Sequence, residues 1–348
     1  MISMGLACLI TLLTLFLLKP FAEKAGLVDI PGGRKIHTHH TPLIGGIGVF
    51  IGMLSLAFVS WESFQTFMPL YGIAGMLLVV GILDDRHDLP ANIRLAVHLL
   101  AGTLMIYWGG NKLTSVGDLL FIGDISLGYL AVPFTLFCVA CSINAVNMTD
   151  GVDGLLGGLT LVTLLLMGWL AHSAGLQHTF MFIGVLTCCI LGFLALNFRF
   201  PWRQRAEIFM GDAGSTVVGF ILAWLLIDLA RNGACPPAVT LWLIALPLLD
   251  CACVMIKRRR EGRGLFTAGR DHLHHFLLDI GFSVRQTVLI IYGLAFSLGL
   301  FGVLANELRL ADGAVFVSFL GLLAAYVVAI PKLSRALQEG RLRKISSR

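Results

Sequence analysis

Charged residues are scarce in this chain. They make up 13% of its 348 residues, whereas hydrophobic residues make up 57%, and the mean hydropathy is +0.88. A soluble domain carries about 25% charged residues, so the composition excludes an ordinary soluble protein. The long apolar runs predict an all-α fold, a polytopic integral membrane helix bundle.

Several familiar binding motifs are also missing. No Gly-Lys-Ser/Thr follows the small residues at 211–216, which excludes a Walker loop. The acidic segment 144–154 lacks the alternating carboxylates and the Glu of an EF-hand. The histidines at 272–275 lack zincin spacing and a nearby thiolate, which disfavours a structural zinc site. The eight cysteines do not suggest disulfides, since six of them lie as close pairs inside apolar runs.

Eleven apolar runs predict membrane spans, each of which needs about 20 mostly apolar residues. Residues 1–18 lack a basic start and an A-x-A-like site, so they predict a retained span rather than a cleaved signal peptide. We expect one multi-span catalytic domain over residues 1–331 and a basic cytoplasmic tail over 332–348. The predicted spans are 3–19, 43–60, 68–83, 93–109, 128–148, 155–173, 179–197, 212–230, 237–256, 286–305 and 312–331.

Lysine and arginine predict the orientation of these spans. Since positive charge stays on the cytoplasmic side, we expect the N-terminus outside, the C-terminus in the cytoplasm and the polar clusters described below facing the cytoplasm. The net charge of +5 mostly reflects this topology and does not imply nucleic-acid binding. Of the 25 lysines and arginines, 22 lie in the segments 19–42, 84–94, 198–211, 257–285 and 332–348.

Carboxylates gather where apolar runs end. Asp84 and Asp85 end one helix, where the helix dipole disfavours negative charge, so a divalent cation would stabilise them; simple solvation is the alternative. Because neighbours on a helix point in different directions, we expect only one of the two in a shared site. Another run ends in amides and carboxylates at every third residue, for which helix capping is the alternative. These are Asn144, Asn147, Asp150 and Asp153.

A third polar junction is the segment F-M-G-D-A-G-S-T at 209–216. Its small residues suit a close approach by phosphate, and helix N-termini attract anions. Asp212 is interpreted here either as a helix N-cap or as a metal ligand. Asn197, at the end of the preceding run, is expected to point into the same place.

Histidines lie together in the longest segment between apolar runs. Arg270, His272, His274 and His275 suit a pyrophosphate or sugar hydroxyls, because imidazoles are donors of adjustable charge. A solvated loop at the membrane surface is the alternative.

Three further polar features are ambiguous. The basic run 258–260 is interpreted as a topological stop. Asp250 lies inside an apolar run, which marks a functional group by default, but its depth favours packing between helices. The segment Arg34-Lys35-Ile36-His37 lies beside Asp29 and Pro31, which favours a structured loop over a bare topological flank.

Together these segments resemble the bacterial polyprenyl-phosphate N-acetylhexosamine-1-phosphate transferases over roughly residues 20–285. The branch that makes undecaprenyl-pyrophosphoryl-N-acetylglucosamine is the most similar, although it usually has Ile and Val where this chain has Leu273 and Thr149. The motifs stand in family order: G-L-V-D-x-P with R-K-x-H (26–37), D-D (84–85), N-x-x-N-M-x-D-G-x-D-G-L (144–155), F-M-G-D-x-G-S (209–215) and H-L-H-H (272–275).

The resemblance implies transfer of N-acetylglucosamine 1-phosphate from UDP-GlcNAc to undecaprenyl phosphate. It places the reaction at the cytoplasmic face of the bacterial inner membrane, as the first lipid-linked step of cell-surface polysaccharide synthesis. The implied cofactor is Mg²⁺, with Mn²⁺ as the alternative, and a homodimer is compatible with the family. The implied metal ligands are Asp212 and Asp84, and the implied catalytic carboxylates are Asp84, Asp85, Asp150 and Asp153. The implied substrate-binding residues are Lys35, His37, Asn144, Asn147, Asn197, Arg270, His272, His274 and His275.

Other functions stay open at this point. Within the family, the donor could be another UDP-N-acetylhexosamine or UDP-MurNAc-pentapeptide. A secondary transporter would place ionisable groups near the bilayer midplane and show inverted repeats, and neither is found. An intramembrane enzyme that uses the histidines as zinc ligands is a third class, and the zinc content of the purified protein would identify it.

Overall fold

A computed structural model describes residues 2–29, 40–264 and 269–346, and these ranges are almost entirely helical. The predicted all-α class is therefore confirmed. Two short strands, β1 (Val28–Asp29) and β2 (Thr41–Pro42), pair antiparallel. The helices are α1 (Ile2–Ala22), α2 (Gly45–Met53), α3 (Leu56–Val59), α4 (Trp61–Thr66), α5 (Met68–His87), α6 (Ala91–Tyr107), α7 (Ala131–Met148), α8 (Leu155–Ser173), α9 (Gln177–Asn197), α10 (Gly211–Arg231), α11 (Pro237–Leu243), α12 (Ala245–Arg260), α13 (Leu273–Asp279), α14 (Val284–Glu307) and α15 (Asp312–Ser346).

Eight helices in the described ranges are long and apolar enough to cross a membrane, which confirms a polytopic membrane protein. The predicted span 237–256 is different, because α11 and α12 meet there at an angle of 81°. Counting this pair as one broken span gives up to nine. The predicted spans 43–60 and 93–109 are shorter apolar helices, Gly45–Val59 and Ala91–Tyr107. The count of eleven and the orientation stay predictions.

The bend between α11 and α12 has a local cause. Pro247 lacks an N–H and is tolerated only in the first turn of a helix, which favours a new helix start at Ala245. The backbone at the break still needs partners inside a membrane. The Thr163 hydroxyl supplies one by donating to the carbonyl oxygen of Leu243 at 3.1 Å.

Helix α10 is the most deeply buried of the apolar helices, and its first turn is packed unusually closely. A Cβ added at Gly46 of α2 would lie 2.3 Å from the Cα of Gly214. A Cβ added at Gly81 of α5 would lie 2.3 Å from the Cα of Ala213. Small residues allow helices to approach this closely. The small residues at 211–216 admit two neighbouring helices, which brings Asp84 and Asp85 beside Asp212; the close approach by a phosphate stays a prediction.

Candidate active site

The predicted carboxylates line one cavity of about 660 Å³. It lies where α5, α7 and α10 meet, the three helices that end or begin at the acidic motifs. We call this cavity the carboxylate compartment. The acidic residues that line it are Asp29, Asp84, Asp85, Asp88, Asp150, Asp153 and Asp212.

Asp84 and Asp85 both reach this compartment, whereas we expected only one of them to do so. The Asp85 carboxylate accepts hydrogen bonds from the backbone N–H groups of Asp212 at 2.7 Å and Ala213 at 3.1 Å. Asp85 thus occupies the anion-binding N-terminus of α10. Asp84 accepts from the backbone N–H of Leu89 at 2.8 Å and lies 3.4 Å from the Arg94 guanidinium. Both oxygens of each carboxylate are therefore in use.

Asp212 does not cap its own helix. Met210 is the N-cap residue of α10, and its own side chain makes no capping hydrogen bond. One carboxylate oxygen of Asp212 accepts from the Asn147 amide at 2.9 Å, and the same amide donates to the Ser215 hydroxyl at 2.8 Å. In the described part of the chain, the other Asp212 oxygen accepts no hydrogen bond, so it remains able to bind a cation.

Asp150 and Asp153 have opposite surroundings. The Asp153 carboxylate accepts from Arg199 at 2.7 Å and from the backbone N–H of Ala206 at 2.9 Å, so it holds the loop that precedes α10. The Asp150 carboxylate accepts no hydrogen bond from any residue in the described ranges. Although part of its side chain reaches solvent in the cavity, desolvation by the protein raises the pKa of Asp150 to about 7, and the nearby charge of Asp212 acts in the same direction.

A second cavity of about 400 Å³ adjoins the first and has a different chemistry. We call it the imidazole compartment, because histidines and arginines supply much of its polar lining. The two compartments share Asp88, Asn147, Gly151 and His275. The basic residues that line the imidazole compartment are Arg94, His98, Arg258, His272, His274 and His275.

The histidine segment, residues 272–275, is bound by the buried carboxylate of Asp250. His272 Nδ1 lies 2.8 Å from one oxygen of this buried carboxylate, and the backbone N–H of Leu273 donates to the other oxygen at 2.9 Å. His274 is only 2% exposed, and burial lowers its pKa well below the usual value. A Cβ at Gly151 would lie 2.3 Å from His274 Nε2, so a glycine is needed where the two segments meet.

Some predicted site residues lie outside the two cavities, or their polar groups already make hydrogen bonds within the protein. Arg270 lies 3.5 Å from Asp279 and is not among the residues that line either cavity. Asn197 lines the carboxylate compartment as expected, while its amide accepts from the backbone N–H of Gly154 and donates to the carbonyl of Ile208, each at 2.8 Å. Asn144 lines the imidazole compartment, while its amide N–H donates to Ala140 of the same helix. Lys35 and His37 lie outside the described residues.

Three basic residues of the site were missed in the sequence. Arg94 and His98 stand four residues apart on one face of α6, inside a run that we interpreted only as a span. Ionisable residues in such a run are a functional signal. Arg258 was interpreted as a topological stop, but it is 3% exposed and lines the imidazole compartment, unlike its exposed neighbours Arg259 and Arg260.

The arrangement suits a metal ion that is shared with a substrate. Within the described ranges, no three His, Cys, Asp or Glu side chains converge closely enough to form a metal site by themselves. Protein-bound Mg²⁺ commonly uses one or two carboxylates together with substrate phosphates and water. Asp212 and Asp150 fit this pattern, because each has a carboxylate oxygen without a hydrogen-bond partner in the described part of the chain.

Comparison with known proteins gives a consistent result. The glycosyl transferase family 4 profile matches residues 67–230. A Yersinia pestis protein named undecaprenyl-phosphate alpha-N-acetylglucosaminyl 1-phosphate transferase is 38% identical over 296 residues, which cover 84% of this chain and 81% of the relative. Proteins of the same name from Escherichia coli K12 and Haemophilus influenzae are 37% and 35% identical over 86% and 95% of this chain, and 82% and 94% of their own. The chain therefore belongs to glycosyl transferase family 4, as a multi-pass membrane enzyme of the glycosyl-1-phosphate transferase class.

Proposed function

We propose that the enzyme transfers N-acetylglucosamine 1-phosphate from UDP-GlcNAc to undecaprenyl phosphate. The products are undecaprenyl-pyrophosphoryl-GlcNAc and UMP. The names of the relatives support undecaprenyl phosphate as the acceptor and N-acetylglucosamine 1-phosphate as the transferred group. The observation that carries the proposal is the pair of adjoining compartments, one rich in carboxylates and one rich in imidazoles and arginines, which meet at Asn147.

The reaction exchanges one phosphoanhydride for another. The bond between the two phosphates of UDP-GlcNAc breaks, and a new bond forms between the lipid phosphate and the sugar-bearing phosphate. The equilibrium should therefore lie near unity, and no outside energy source is needed. The barrier arises because an anionic phosphate must attack an anionic diphosphate, so catalysis depends mainly on gathering and offsetting negative charge.

The two compartments divide this task. Arg94, Arg258, His272 and His275 provide donors for the diphosphate and the N-acetylhexosamine. Arg270 and His274 were predicted for the same role; Arg270 lies outside the cavity lining, and His274 is too buried to be protonated easily. Asp84 or Asp85 would orient or deprotonate the lipid phosphate, and its tail would lie in a groove between helices that opens to the bilayer.

Asp212 would hold Mg²⁺, with Asp150 as the second carboxylate. We expected Asp84 in this second role, but its oxygens already accept hydrogen bonds from Leu89 and Arg94. When bound, Mg²⁺ would supply positive charge against the reacting phosphates. Asn147 would keep the Asp212 carboxylate in one orientation, through the hydrogen bond at 2.9 Å.

The proposed location is the cytoplasmic face of the bacterial inner membrane, at the first lipid-linked step of a cell-surface polysaccharide. The positive-inside rule supports this orientation. UDP-GlcNAc is a cytoplasmic donor class, which fits a site on the side that carries most lysines and arginines.

A panel of UDP-sugars tests the proposal. Purified protein is incubated with undecaprenyl phosphate, Mg²⁺ and one of UDP-GlcNAc, UDP-GalNAc, a 6-deoxy UDP-N-acetylhexosamine or UDP-MurNAc-pentapeptide, and UMP release is measured. We expect the fastest release with UDP-GlcNAc and none without the lipid phosphate. Faster turnover of another donor would keep the reaction class and replace the substrate, whereas lipid-independent release would refute the proposal.

A further inference from the structure

A buried carboxylate outside both compartments is connected to the imidazole compartment through a single histidine. Asp250 of α12 is 5% exposed and does not line either of the two cavities. It accepts from three donors on two segments: at the start of α13, His272 Nδ1 at 2.8 Å and the backbone N–H of Leu273 at 2.9 Å, and on α15 the Tyr326 hydroxyl at 3.2 Å. Asp250 thus joins α12 to the start of α13 and to α15.

The contact between Asp250 and His272 fixes a proton on Nδ1 of the imidazole ring. An ionised carboxylate only accepts hydrogen bonds, so the proton of a neutral His272 must lie on Nδ1. The other ring nitrogen, Nε2, then accepts hydrogen bonds in the neutral ring and donates one in the imidazolium, and His272 lines the imidazole compartment. A buried carboxylate also stabilises an imidazolium, as in carboxylate–histidine pairs of other enzymes.

The orientation of the His272 ring is restrained as well. It is only 7% exposed and stacks against the ring of His274, with centroids 5.5 Å apart and planes within 4°. The ring is therefore held by a carboxylate on one side and by a buried imidazole on its face. Little of it reaches solvent, and the part that does lies in the imidazole compartment.

We propose that Asp250, supported by Tyr326, is a positioning residue for the reaction: it fixes the orientation of the His272 ring through Nδ1–H and stabilises the imidazolium, whose Nε2–H donates to the diphosphate of the nucleotide sugar. This role goes beyond helix packing, and it rests on the proposed function. It also gives the last helix, α15, a part in the site, because Tyr326 reaches the carboxylate from that helix.

A double-mutant cycle tests this role through substrate binding. Asp250→Asn keeps the size and one acceptor oxygen for Leu273, but replaces an acceptor with an NH₂ group facing His272. We measure the Kd of UDP-GlcNAc in the absence of lipid phosphate, together with kcat, for the wild type, Asp250→Asn, His272→Gln and the double variant. We expect Asp250→Asn to weaken binding or lower kcat by roughly tenfold, the usual effect of a lost charge-assisted hydrogen bond. The double variant should match His272→Gln alone, because coupled residues are not additive.

The matched control is Asp228→Asn in α10. Asp228 is also a part-buried carboxylate with side-chain donors, Thr179 at 2.7 Å and Asn232 at 2.9 Å. It lies sixteen residues beyond Asp212, about 24 Å along the helix at 1.5 Å per residue. Its Kd and kcat should equal those of the wild type.

The outcomes separate the inference from the function that it rests on. A wild-type protein that does not bind or turn over UDP-GlcNAc refutes the proposed function. With an active wild type, unchanged Kd and kcat in Asp250→Asn refute the positioning role. If Asp250→Asn lowers binding or kcat by the same factor in the wild-type and His272→Gln backgrounds, the positioning role is also refuted. If Asp250→Asn does not fold, the same cycle is measured with Tyr326→Phe. A loss of binding or of kcat that disappears in the His272→Gln background supports the role. No loss, or a loss that adds to that of His272→Gln, refutes it.

Discussion

Five aspartates of the carboxylate compartment differ in their hydrogen bonds, because each has different neighbours. Asp85 caps α10, Asp84 binds Leu89 and Arg94, and Asp153 binds Arg199. Asp212 and Asp150 keep oxygens without hydrogen bonds in the described ranges. The spacing of the motifs predicted the set of residues, but not this division, because the partners come from segments that are distant in sequence.

Asp212→Asn tests whether Asp212 is a metal ligand. The amide oxygen of asparagine can still accept from Asn147, so the fold and the unfolding temperature should stay near those of the wild type. Loss of the charge should lower kcat by about 10²-fold or more, since one preorganised electrostatic group contributes that much. UMP release measured across a Mg²⁺ titration checks this. Full activity at ordinary Mg²⁺ concentrations would remove the assignment.

His274 gives the stability a defined dependence on pH. Burial lowers its pKa in the folded protein below the value of about 6.5 in unfolded chains. The unfolded state therefore binds the proton first, and stability is lost as the pH falls below about 6.5. We expect the drop in Tm between pH 7.5 and pH 5.5 to be smaller in His274→Gln than in the wild type. The exposed His172→Gln is the control and should show the wild-type drop; an equal drop in all three proteins would contradict the prediction.

At the scale of single helices, close contact between glycines and a neighbouring backbone sets the geometry of the site. Gly81 lies one turn before Asp84 and packs against Ala213, which follows Asp212. The distance between α5 and α10 therefore determines how the carboxylates face each other. Any side chain at Gly81 should separate them.

Gly81→Ala tests this contact. The added Cβ would lie 2.3 Å from the Cα of Ala213, and backbone cannot move aside as easily as a side chain. Overpacking of this kind costs about 1–3 kcal/mol, so we expect a lower Tm and reduced UMP release. Gly293→Ala in α14 is the matched control, because nothing lies within 4 Å of its Cβ. It should be neutral or slightly stabilising, given the higher helix propensity of alanine; equal effects of both variants would argue against the contact.

The sequence predicted the helical class and the main acidic motifs because both are local patterns. It failed at the bend near Ile244, since hydropathy averages over a window and does not register a change of direction. Arg94 and His98 were missed because their run met the criterion for a span. Asn197 lines the carboxylate compartment with Asp212, as expected, but the sequence did not predict that its amide joins Gly154 to Ile208. Such pairings depend on tertiary contacts that motif spacing does not encode.

At the scale of the whole molecule, we expect one side of the bundle to be basic and to carry both compartments. The segments assigned to this side hold 22 of the 25 lysines and arginines. A site at the membrane surface gives a nucleotide sugar access from water and a lipid phosphate access from the bilayer. The orientation follows from charge alone, so it needs a direct test.

Cysteine labelling provides this test. In a background that lacks the eight native cysteines, single cysteines replace the exposed residues Arg86, Gln204 and Asn232. In intact cells, an impermeant thiol reagent should label the cysteine at 232 and leave those at 86 and 204 unlabelled. Permeabilised cells should show labelling at all three positions. The opposite pattern in intact cells would reverse the orientation and move the site to the other face.

In the proposed reaction the sugar moves together with its phosphate. UDP-GlcNAc labelled with ³²P in the β-phosphate and with ³H in the sugar is incubated with undecaprenyl phosphate, Mg²⁺ and the purified enzyme, and the lipid is extracted. The proposed reaction predicts both labels in the lipid product in a one-to-one ratio, with unlabelled UMP in the water phase. Tritiated lipid without ³²P, together with labelled UDP in water, would contradict it.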